Sequence, residues 1–342
     1  MAGLRRAVWQ IALVVLVGVA AGCGDNNGSA PPRPLPTPSP TPTPGAPTFK
    51  SGGLYPEGIG IDKSDNVWIA NRYSNSVAEL SPQGAVVQTI TVGARPHGLK
   101  IDRANTGNIW VENTASNNVT ALSPDGGVIG SFPTHGLEPQ HAQFDSSGNI
   151  WITNQGSDTV AELDGGGSFI DTFPTGKNPH AIARDRNGNF WIGNYSSGTI
   201  TVLGPTGALL TTIGNVGYQP SGNDIDPAGN LWQSVQSKDQ VLVFAAAPSF
   251  AFVTGLAVGV APRGVTIDKS GNVFVANQRT NNVLEFDSSG RQTAEFQVGA
   301  CPENMAVDSK GDLWVTNACD NTVTELKGVA QPAPNGDEDS NG

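Results

Sequence analysis

Positive charge is scarce in this chain. Its 342 residues carry 19 Lys and Arg against 30 Asp and Glu, a formal charge of -11. No basic stripe interrupts that balance, which argues against nucleic acid and against electrostatic binding to anionic lipid. There is no zinc-helix H-E-x-x-H, no G-x-S-x-G nucleophile elbow and no phosphate-binding glycine loop. Three common catalytic machineries are thereby excluded. Histidine is limited to four residues and cysteine to three. The one long apolar run, Ala7 to Ala20, is too short to span a bilayer comfortably.

What the chain has is repetition. Trp68, Trp110, Trp151, Trp191, Trp232, Phe274 and Trp314 recur 40 to 42 residues apart, each inside a variant of P-x-small-apolar-x-apolar-D-x-x-G-N-apolar-W-apolar-x-N. A fixed period of about 40 residues, with several strand signals per unit, predicts an all-β seven-bladed propeller. In the first unit Gly58–Ile61, Val67–Asn71, Ser76–Leu80 and Ala85–Ile90 read as four antiparallel strands joined by Gly, Asn and Pro turns. An aspartate recurs in all seven hairpins, at Asp62, Asp102, Asp145, Asp185, Asp226, Asp268 and Asp308. Its side chain is expected to bond nearby backbone N–H groups and pin the turn. Asp-x-x-Gly lacks the stacked carboxylates of a calcium loop. The tryptophans are expected to fill the wedge between blades.

The seventh unit stops after Thr322–Leu326, before a fourth strand. Residues 47–52, with Thr48-Phe49 matching Thr172-Phe173, are expected to supply it and close the ring. The alternative is a three-stranded last blade with those residues as linker.

Outside the propeller, assigned to 47–330, the chain is simple. Residues 1–22 read as a signal peptide, with Arg5-Arg6 ahead of the apolar run. Val19-Ala20-Ala21-Gly22-Cys23 resembles a bacterial lipobox, which implies cleavage before Cys23 and a lipid on it; a plain signal peptide is the alternative. Residues 23–46 are Pro/Thr-rich and are expected to act as an extended stalk, at roughly 3.1 Å per residue. Residues 331–342 are an acidic, Gly/Asn-rich tail without apolar pattern. These features place the protein in a bacterial cell envelope, touching the membrane only through its lipid and expected to be monomeric. Loss of Arg5 and Arg6 takes the charge from -11 to -13. Cys301 and Cys319 fall at hairpin ends on one rim, so a disulfide is expected in an exported protein.

The residue after the aligned proline recurs around one mouth of the central channel: Glu57, His97, Gln140, His180, Ser221, Arg263 and Glu303. All are polar. His141 follows Gln140, so three of the four histidines fall here. His135 is expected at the surface. A mouth rich in His and Glu is a candidate ligand or metal site. Neutral histidines would lose a metal as pH falls through roughly 6.5.

Pro96-His97-Gly98-Leu99, Pro179-His180-Ala181-Ile182 and the W-[IV]-x-N strands resemble NHL-type and streptogramin B lyase-like propellers. The lyases of that family are seven-bladed and open a cyclic depsipeptide by magnesium-dependent elimination. The resemblance implies His97 and His180 at the catalytic histidine positions, although two blades apart, and Glu138 at the glutamate before the proline. Gln140 stands where a histidine is expected. The second glutamate has no counterpart: Arg72, Thr114, Gln155, Tyr195, Gln236, Gln278 and Ala318 occupy its place, with Glu112 displaced by two residues. Two readings stay open. One is a non-enzymatic propeller that binds a small molecule, peptide, glycan or partner protein at the channel mouth. The other is a Mg2+-dependent lyase or hydrolase using His97, Glu138, His141 and His180.

Overall fold

The computed structural model describes residues 45–332. Their strands form seven four-stranded antiparallel sheets, six in sequence order and the seventh joining the first strand to the last three. The first blade comprises Pro56–Ile61, Val67–Asn71, Ser76–Leu80 and Val86–Thr91, within two residues of the expected bounds. The signal segment with Cys23, the stalk as far as residue 44 and the tail from 333 lie outside the described residues.

The ring closes as expected. Thr48–Lys50 pairs antiparallel with Thr322–Leu326, with Phe49 opposite Val323. The strand is three residues long rather than six. Its exit is fixed by Ser51, whose N–H donates to the Asn321 carbonyl at 3.2 Å, and by Gly52 in the left-handed region at φ 76°. The disulfide between Cys301 and Cys319 is present.

The recurrent aspartate does more than hold its own turn. In blade four Asp185 Oδ1 accepts the N–H groups of Asn187 and Asn189, both at 2.9 Å. Its Oδ2 accepts Asn189 Nδ2 at 2.9 Å and Trp191 Nε1 at 3.1 Å. The aspartate therefore satisfies the only polar atom of a fully buried tryptophan, which would otherwise be costly to bury. In blade six Phe274 has no N–H to offer, and the Gln331 backbone N–H takes the vacant acceptor on Asp268 at 2.8 Å.

Each tryptophan packs across the wedge, as expected. Trp68 lies with Leu99, Ile101, Ile109 and Val111 of the next blade. A polar stitch joins neighbouring blades on the other rim. Asn75, Asn117, Asp158, Asp239, Asn281 and Asn321 accept the N–H of the residue before the next blade's proline, at 2.8 to 2.9 Å. The inner strands run so close together that five of the seven blades place glycine or alanine two residues after the proline, His141 and Asn304 being the exceptions. A Cβ on Gly58 would stand 2.6 Å from the His97 carbonyl oxygen.

Candidate functional site

Every inner strand breaks register just after its proline, between Pro56 and Ile59 in blade one and between Pro179 and Ile182 in blade four. The residue before each proline adopts a left-handed φ of 53 to 64°, although none of the seven is glycine. Such a bulge re-aims side chains. Here it turns the post-proline residues into one ring around the axis.

Most of that ring is spoken for. Arg72 Nη1 donates to both oxygens of Glu57 at 2.9 Å. Gln155 accepts from Gln140 at 3.1 Å, and Gln278 donates to Glu303 at 2.5 Å. Arg263 faces Glu303 at 3.4 Å. With its amide suitably turned, Gln236 accepts from Ser221 and Arg263 at 3.2 Å. Tyr195 stacks on His180, ring centroids 5.6 Å apart. The positions after the tryptophan strand, where the lyase glutamate has no counterpart, thus supply the ring's structural partners. Burial pushes Glu57 up to about 7 against the pull of Arg72.

The histidines are the exception. His97, His141 and His180 converge from blades two, three and four, with ring centroids 4.9 to 5.2 Å apart. One potential ligand nitrogen from each lies within 4.8 Å of the others. His180 Nδ1 sits 3.1 Å from the Ser221 carbonyl oxygen, so it carries the proton and leaves Nε2 with a free lone pair. His97 Nε2 faces Glu57 at 3.8 Å. Its buried Nδ1 has no partner among the described residues. Burial holds His141 down to about 4, and His97 and His180 well below the usual imidazole range. All three are neutral at pH 7, and protonation falls well below the 6.5 expected from the unperturbed side chain.

Beside this cluster lies a second anomaly. Thr153, Ser234 and Thr316 occupy one position in blades three, five and seven, and each hydroxyl bridges carbonyls of adjoining inner strands. Thr153 Oγ1, for instance, reaches His141 O at 3.1 Å and His180 O at 2.7 Å. Blade two has Glu112 instead. It is fully buried, and neither carboxyl oxygen has a partner among the described residues. Burial pushes it up to about 8. Gly98 makes room for it, since a Cβ there would stand 2.5 Å from Oε2.

A cavity of about 340 Å³ runs inside the inner strands. His141, Lys100, Asp224, Thr266 and Met305 line it, and it reaches the turns at Arg103–Asn105 and Asp145–Ser146. Half-buried His141 forms part of its wall, whereas His97 and His180 are 7% exposed. The open space therefore reaches the histidines from the Asp-hairpin end, opposite the proline loops. The ring itself is packed.

The site residues singled out in the sequence divide accordingly. His97, His141 and His180 come together, with Glu57 beside His97. Gln140, Arg263 and Glu303 stay in the ring's own pairs. Glu138 is exposed on the rim and His135 at the surface, where the His135 ring lies tilted against Phe169 with centroids 4.0 Å apart. Arg72 and the glutamines that partner the ring had no signal beyond their shared offset from the tryptophan. Glu112 stood out as the only carboxylate at its offset.

The family described as two component regulator propeller matches residues 173–196. No curated protein matches the chain. Among solved structures, a streptogramin B lyase superposes with a TM-score of 0.71 at 18% identity, over 81% of this chain and 93% of that one. A catalytically inactive virginiamycin B lyase variant from Staphylococcus aureus, with quinupristin, gives 0.74 at 16% identity, over 83% and 98%. Kuenenia stuttgartiensis hydrazine synthase gives 0.71 at 13% identity, over 89% and 100%. At such identities the likeness is one of fold, and this chain is a seven-bladed β-propeller of the architecture seen in streptogramin B lyase.

Proposed function

We propose that the protein is an exported, lipid-anchored propeller that binds a small molecule in its central channel, against the histidine cluster. The observation that carries this reading is the 340 Å³ cavity with His141 on its wall. That volume suits a small ligand rather than a folded partner or a polysaccharide. The His141 imidazole on one wall and Asp224, Thr266 and Lys100 along the others give the cavity a partly polar lining.

A metabolite panel screened by thermal shift tests it. A ligand at about 100 times its Kd adds about 2.7 kcal/mol, a shift of a few degrees. Thr266→Phe, which fills the channel, should abolish the shift, while Tyr73→Ala on the proline rim should leave it intact. The reverse pattern would move the site to the rim.

Anchoring rests on the lipobox-like Val19–Cys23. Cys23→Ser should move the protein out of the detergent-extracted membrane fraction or leave an uncleaved precursor. Wild-type protein already soluble, with an unmodified N-terminus, would remove the anchor from the proposal.

The second reading, a Mg2+-dependent lyase, is favoured by one observation: His97 and His180 share a single cluster although they stand two blades apart. Exposed Glu138 stands apart from that cluster. Incubation with quinupristin and Mg2+, followed by chromatography for the ring-opened product, decides it.

A further inference from the structure

The ring explains its own polar atoms except at one place. Glu57, Gln140, Ser221, Arg263 and Glu303 are held by neighbouring side chains, but His97 Nδ1 is buried with no partner among the described residues. It lies in a cluster of three imidazoles whose nitrogens stand within 4.8 Å of one another. Neutral imidazoles this close pack edge-on or tilted, which leaves the His97 Nδ1 position unsatisfied. A cation held among the three rings would satisfy it.

The donor set selects the cation. Imidazole nitrogen suits zinc, copper, nickel and cobalt, whereas magnesium takes oxygen ligands in an octahedral shell. In a tetrahedral site with metal–nitrogen bonds of about 2.0 to 2.1 Å, ligand nitrogens stand about 3.4 Å apart. The imidazoles would need to draw together by side-chain rotation alone. The supporting contacts follow the usual pattern, in which a ligand histidine is oriented through its other nitrogen. His180 is held by the Ser221 carbonyl at 3.1 Å, and His97 faces the Glu57 carboxylate at 3.8 Å. His141 alone borders the cavity.

We propose that His97, His141 and His180 form a site for one transition-metal ion of the imidazole-preferring class, zinc or copper, with its remaining coordination position turned into the channel. Three protein ligands and one open position are the arrangement of metal sites that bind or activate a small molecule. This deepens the channel reading, and rests on it only for access to the open position.

The test uses untagged full-length protein, stripped with chelator and titrated calorimetrically with ZnCl2 and, separately, MgCl2. One zinc per chain is expected, with no comparable magnesium binding. His97→Ala and His180→Ala should each weaken zinc at least 100-fold, while His135→Ala should not. Because an alanine variant can lose its fold, CoCl2 absorption on the wild type provides a second readout. Intense d–d bands of a four-coordinate site are expected, displaced on adding zinc. Zinc binding unchanged in both variants, octahedral-type cobalt spectra, or preference for magnesium would overturn the proposal. If zinc fails while metabolite binding remains sensitive to Thr266→Phe, the metal falls and the channel reading stands. If zinc binds and no panel member does, the metal site stands without the small-molecule reading.

Discussion

Deleting residues 47–53 should cost about 4 to 6 kcal/mol of unfolding free energy, or prevent folding, while deleting 26–44 should cost almost nothing. Thr48–Lys50 is the outer strand of blade seven, and its removal bares the edge of Thr322–Leu326. Phe49 packs at 5.6 Å from Trp314 and over Gly84 of blade one. Burial of one phenylalanine contributes up to about 3 kcal/mol, and the ladder bonds add about 1 kcal/mol each. The Ser51 N–H to Asn321 and the Glu325 N–H to Pro47 go with them. Urea unfolding of the two deletions measures the difference. Equal midpoints and slopes would mean that the seventh blade does not depend on this strand.

Glu112→Gln should change how stability varies with pH. The folded protein holds Glu112 at about 8, against an ordinary carboxyl value of 4.5. Between those values the unfolded chain ionises while the folded chain keeps its proton, so the folded state binds more protons. Its contribution is therefore complete below about pH 4.5 and is lost as pH rises through about 8. The loss is about 3 kcal/mol by pH 7, from 1.36 kcal/mol per pK unit. Glutamine cannot ionise, so the variant escapes it. Relative to wild type, the variant should gain about 3 to 4 kcal/mol between pH 5 and pH 8. Glu57, pushed up to about 7, acts in the same direction but equally in both proteins, and cancels in the difference. A difference independent of pH would show Glu112 ionised and paired in the folded state. A carboxyl that opposes stability this way, where blades three and seven use threonine, fits a position kept for the site beside it.

The repeat made the fold readable because each hairpin needs the same chemistry. Asp185, Asn189 and Trp191 form one hydrogen-bonded unit, which holds their spacing; in blade two, where two more residues separate Asp102 from Trp110, Asp102 bonds Thr106 and Asn105 instead. The seventh blade was readable for a similar reason: Phe49 occupies the same place against Trp314 that Phe173 occupies against Trp151. The ring of post-proline residues was also legible, since the proline marks the start of every inner strand.

What could not be read was which ring members are engaged. Arg72 reaches Glu57, and Gln278 of blade six reaches across to Glu303 of blade seven. Loop positions and blade spacing decide these pairs, and no local motif records them. The bulge after each proline was equally silent, because the left-handed residue before it is Tyr55, Arg95, Glu138, Asn178, Gln219, Ala261 or Cys301, with no glycine to announce it. The direction of access followed from packing: the ring closes one end, and the cavity reaches His141 from the other.

The proposed working site is the set of axial histidines. Crystals of the full chain, soaked with ZnCl2 and measured at the zinc edge, test it most directly. One strong anomalous peak is expected on the channel axis, about 2.0 to 2.1 Å from nitrogens of His97, His141 and His180, with its free side facing the cavity. Peaks only at exposed carboxylates, with the axis empty, would contradict it.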